Sequence, residues 1–166
     1  IKKYKLISNK SSVQFFRLRP INFPTIRISQ LANLLSKQSR LFSKILEVET
    51  VKEFQDLFSV KASEYWRRHY QFGESVENEV EKKLGITTIN SIIINVIVPF
   101  TFVYGKAKQN EKLVDKSLKL LELLKAENNV ITKNWNTIGV KSSNAMQTQS
   151  LIELKNNYCS QKKCLN

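Results

Sequence analysis

The amino-acid sequence predicts an all-α fold, and three observations carry that reading. Glycine and proline are scarce, at four and three in a chain of 166 residues, too few for a turn-rich β sandwich. Apolar residues recur at intervals of three and four along several segments. Helix-capping residues stand directly before some of those segments. A chain of this length is one domain by default and buries a real core, so residues 1–166 read as a single helical domain. The expected architecture is a compact bundle of about six to eight helices around a buried apolar helix at roughly residues 88–104, behind an extended N-terminal segment.

The elements follow in order. Residues 1–19 read as extended or irregular, since YKLI and VQFFRL are short β-like pieces and Pro20 and Pro24 forbid a helix across INFP. Helix signals begin at Thr25. Ile28, Leu31, Leu35, Phe42 and Leu46 then mark the expected core face, with Lys37, Arg40 and Lys44 opposite and Arg27 inside the apolar sector. Thr50 and Glu53 have the capping-box form T-x-x-E, which starts a helix using Phe54, Leu57 and Phe58. The cluster YWRRHYQFG follows. The acidic piece ESVENEVEKKLG reads as a helix closed by Gly85. Thr87 or Thr88 should cap INSIIINVIVPFTFVYG, apolar all round and kinked or split by Pro99. Residues 110–125 make the clearest amphipathic helix, and a shorter one with Val130, Ile131, Trp135 and Ile138 should stop at Gly139. Ser142 or Ser143 then caps a last helix burying Gln147, Leu151, Leu154 and Tyr158.

The net charge is +13 and uneven. Residues 1–50 carry ten Lys/Arg against two acids, residues 51–100 six against seven, and residues 101–166 eleven against five. Such a charge favours polyanions at low salt, although lysines on helices also serve simply as solvated surface. The chain starts at Ile1 with no signal-peptide pattern, so it reads as the C-terminal part of a longer protein. The apolar stretch Ile92–Tyr104 is interrupted by Asn95, Pro99 and Thr101 and falls short of the roughly 20 residues a membrane span needs. The expectation is a soluble, cytoplasmic protein without a membrane partner.

Taken together, FFRLRPINFPTIRISQLANLL, YWRRHYQFG, LG-x8-INVIVPF, AENNVITKNW and SLIELKNNYC…KKCLN resemble one pattern. It is similar to the C-terminal half of an uncharacterised bacterial family, a domain of unknown function. The resemblance implies an upstream half with nuclease-like acidic motifs, none of whose residues this chain contains. It also implies a further cysteine beyond KKCLN.

Arg17 and Arg19 alternate with Phe16 and Leu18, so an extended segment puts both guanidinium groups on one side. Arg27 follows at a helix N-terminus, where N–H groups and the dipole favour an anion. These three arginines could form a phosphate site; alternatively Arg27 holds the INFP loop down through an internal partner. Asn22 and Gln30 are its polar partners on either reading. Arg67 and Arg68 sit among Tyr65, Trp66, His69 and Tyr70, the mixture of rings and cations that grips single-stranded nucleic acid, or else a core stripe. His69, the one histidine, lacks a nucleophile or metal partner at a telling spacing, and a packed role suits it better than catalysis. Glu74, Glu77, Glu79 and Glu81 read as a solvated acidic face or as partners of the basic residues. Asn90 and Asn95, inside the apolar helix, should be buried and tied to the INFP loop or the arginines. Cys159 and Cys164 form C-x4-C, two ligands where zinc needs four, so zinc or an iron–sulfur cluster belongs only to a longer chain and this fragment holds no cofactor. With no phosphate loop, HExxH or nucleophile elbow, the fragment reads as non-catalytic. The expected function is a nucleic-acid or polyanion-binding accessory to an upstream half. The alternative is a structural or protein-interaction domain.

Overall fold

Proline decides where the first helix begins. In a computed structural model describing Phe15 and residues 19–163, Pro20–Asn22 forms a 3-10 turn and Pro24 opens helix α1, Pro24–Lys37. Proline suits that first helical position because its missing N–H would have no partner there. Further helices are α2 (Leu41–Glu47), α3 (Val51–Leu57), α4 (Ile86–Ile92), α5 (Val98–Ala107), α6 (Glu111–Leu123), α7 (Val130–Thr137) and α8 (Ala145–Glu153). A π turn, Ile93–Ile97, joins α4 to α5, and a second, Leu154–Cys159, extends α8. The one small sheet among the described residues pairs β1 (His69–Gln71) with β2 (Glu74–Ser75), antiparallel. The fold is therefore essentially all-α.

The described residues fall into two compact units: those of Ile1–Gln38 with Val60–Lys83, and those of Ser39–Ser59 with Leu84–Asn166. In the first, α1 buries Ile26, Gln30 and Leu34. Ile26 packs with Ala62 and Trp66, and Phe23 and Tyr70 close over them. The face expected to be core is the wet one: Ile28, Leu31 and Leu35 are 62%, 54% and 54% exposed. Gln30 is the reason. Its amide donates to the Lys82 carbonyl at 3.0 Å, so a polar residue belongs to the buried stripe and disguises it.

Residues expected as an acidic helix instead run extended past β2. Lys82, 1% exposed, holds them there: its carbonyl also accepts the Ala62 N–H, and its ammonium donates to the carbonyls of Trp66 and, at 3.0 Å, Arg67. YWRRHYQFG is likewise no helix. Glu64–Arg67 is a 3-10 turn, and Gly73 takes φ +81° where β1 reverses into β2.

In the second unit the predicted capping box forms. Thr50 Oγ1 accepts the Glu53 N–H at 3.2 Å, and the Glu53 carboxylate accepts the Thr50 N–H at 2.9 Å. Phe54 and Phe58 enter the core. Gly85 caps α4 in place of a threonine, and Asn144 caps α8 in place of a serine. The apolar helix is continuous over Ile86–Ala107, 22 residues of mean hydropathy 1.9, long and apolar enough by length and composition to cross a membrane. It is not buried all round: Ile89, Ile93, Ile97 and Thr101 face inward while Val96, Phe100 and Val103 face out. Pro99 does not split it, because the π turn just before already replaces the usual ladder with an i→i−5 bond from Val98 to Ile93.

Gly105 lets α5 and α6 meet closely. A Cβ there would stand 3.0 Å from a Val114 methyl and 3.1 Å from the Val114 nitrogen. Behind that contact Lys116, unexpectedly buried, donates to the carbonyls of Ile45 and Leu46 near the end of α2. In α8 the inward residues are Ala145 and Thr148; Gln147, Leu154 and Tyr158 are exposed.

Candidate functional site

The arginines singled out in the sequence are mostly consumed by internal partners. Arg17 and Cys164 lie outside the described residues. Arg19 is exposed at the start of the 3-10 turn. Arg27 donates to Asn22 at 2.6 Å and Gln30 at 3.0 Å, the two amides expected, and so ties α1 to the loop before it. Partial burial lowers its pKa. Arg67 and Arg68 share Glu79, at 2.8 and 3.5 Å, yet both keep an open, solvent-facing side.

The rings follow the same pattern. Trp66 is 7% exposed and belongs to the core, so no base can stack on it. Tyr70 meets Phe23 edge-on, and the Lys82 ammonium lies 4.0 Å from its ring centre. His69 stacks on Tyr65 at 4.0 Å, with Nδ1 2.7 Å from the Tyr65 carbonyl, as a packed histidine does. Phe72, at the hairpin turn, is the openly exposed ring of this cluster.

Glu81 sits between Lys61 and Lys83, which hold its pKa down at about 2. In the second unit, Asn95 is exposed and donates to the Ser91 carbonyl at 2.9 Å. Asn90 is half-buried and accepts from Gln55 on α3 at 2.9 Å, so neither asparagine ties the helix to the arginines. One turn of helix separates Asn95 from Ser91, and that local bond satisfies it without burial.

Cys159 is a half-exposed free thiol, and no group of three or more His, Cys, Asp or Glu among the described residues is placed to hold a metal. What sequence reasoning missed is the pair of buried lysines, Lys82 and Lys116. Their positions in charged stretches, KK and DKSLK, carry no signal that separates them from surface lysines.

A family model described as a protein of unknown function, DUF2851, matches residues 1–130. The chain belongs to the DUF2851 family. In this DUF2851 protein the match takes in both stretches just described and ends as α7 begins. No curated protein and no solved structure matches the chain.

Proposed function

We propose that this chain is a polyanion-binding accessory module, that nucleic acid is its partner, and that it serves an upstream half of a longer protein. One observation carries the reading: the cations of the second unit are not matched by acids. From Lys106 onward only Lys106 forms an ion pair among the described residues, with Glu111. Lys108, Lys112, Lys119, Lys125, Lys133 and Lys141 are all exposed and without one. Lysines that solubilise a surface are ordinarily interspersed with acids, and an uncompensated set attracts phosphate through counterion release. Arg19 and the open sides of Arg67 and Arg68 add to this in the first unit.

Binding of single- and double-stranded oligonucleotides, followed by fluorescence anisotropy at about 50 mM salt and upward, tests the reading. Affinity should fall steeply with salt, and Lys133→Glu with Lys141→Glu should weaken every sequence alike. Arg27→Ala should leave the salt dependence unchanged, since that guanidinium is occupied internally. Absence of binding to either oligonucleotide at low salt removes the proposal. In that event the exposed stripe of Ile28, Leu31 and Leu35 favours the other reading, a protein-interaction domain.

A further inference from the structure

The second unit contains a cleft of about 670 Å³ between α3, α4 and the loop from the end of α6 to α7. Its floor is apolar, made by the buried Ile94 and Leu124, with Ile86 and Leu123 at the edges. Its polar groups are nearly all neutral. Gln55 Nε2 donates to Asn90 Oδ1 at 2.9 Å, which leaves the Gln55 carbonyl oxygen as a free acceptor beside the free NH2 of Asn90. The loop adds a further amide: Asn129 spends its side chain capping α7, whereas Asn128 is exposed and unpartnered.

Charge lies at one side only. Lys125 is exposed and forms no ion pair, and Glu127 accepts from the Gln149 amide. A phosphate in the floor would meet no cation, and a sugar would find no aromatic platform among the lining residues. A flat, uncharged ring with donors and acceptors on its edge fits both the apolar walls and the amide couple. The size is that of a small-molecule site.

We infer that this cleft receives one unpaired nucleobase of a single strand, its edge read by Asn90 and Gln55 and its phosphate directed toward Lys125. The inference rests on the nucleic-acid reading above and gives it a substrate form: a single strand with an unstacked base.

The test uses the full chain with a single-stranded oligonucleotide, an abasic strand of equal length and charge, and inorganic polyphosphate. The strand with bases should bind about tenfold more tightly than the abasic strand. Asn90→Ala should erase that advantage while leaving abasic binding unchanged. Asn128→Ala, at an exposed position that the fold does not depend on, should reduce it. Equal binding of the two strands, unaltered by either substitution, overturns the base site while the polyanion reading stands. If none of the three polymers binds, the polyanion reading fails, and a nucleoside monophosphate titration followed by the side-chain amide signals of Asn90 and Asn128 decides the cleft separately. Saturable shifts of those signals sustain the site; unmoved signals overturn it.

Discussion

Lys82 illustrates how one side chain organises its surroundings. Its ammonium is enclosed by the Trp66 and Arg67 carbonyls and the Tyr70 ring, and its own carbonyl anchors Gln30 and Ala62. Burial lowers the pKa of the ammonium, so it costs free energy to keep charged. Removing it costs more, because two carbonyls then lose a charged donor. Lys82→Met should destabilise the protein by about 2–3 kcal/mol, measured by urea unfolding, without a change in the slope of oligonucleotide binding against salt. Glu81 provides the pH counterpart. Its folded pKa of about 2 lies below the ordinary glutamate value, so its contribution is complete above roughly pH 4.3 and disappears as pH falls toward 2. Acid titration followed by carboxyl NMR should place its midpoint near 2, and Lys61→Met should move it upward. At this scale the sequence reveals candidates but not their partners. The Arg27–Asn22–Gln30 bonds were legible because they are local, five residues or fewer apart; the Lys82 contacts span 15 residues and more and were not.

Helices show where periodicity misleads. The Thr50–Glu53 box is a local device with one geometric solution, and it forms as the residues dictate. In α1 two apolar stripes compete, Ile26 with Leu34 and Ile28 with Leu31 and Leu35, and spacing alone does not rank them. The choice falls to long-range contacts, through Gln30 and the packing of Ile26 on Trp66. Ile26→Ala should therefore cost about 2–5 kcal/mol, whereas Leu31→Asp should stay within about 0.5 kcal/mol of the parent. Equilibrium unfolding of the two variants checks the assignment; comparable losses would reverse it. The stretch after β2 was misread for the same reason, since its hydrogen bonds go to distant backbone rather than to its own next turn.

Across the whole molecule, charge was the most legible property and its arrangement the least. Composition gives +13, but only coordinates separate the two buried lysines from those that face water. Each surface lysine lost from a phosphate contact should reduce the salt slope by about one, so Lys133→Glu with Lys141→Glu should flatten it by about two if both touch the strand. The all-α class was legible because helical signals are local. The continuity of Ile86–Ala107 was not, since proline ordinarily predicts a break and the π turn absorbs it. That turn also fixes the chain's tolerance to length. Dropping one residue, even solvent-facing Asn95, would restore an ordinary spiral and rotate everything downstream by about 100°. Gly105 would swing off Val114, and a bulkier neighbour would arrive in its place. Side chains in this segment are thus freer to vary than their number, and gene lengths should stay locked here where letters drift.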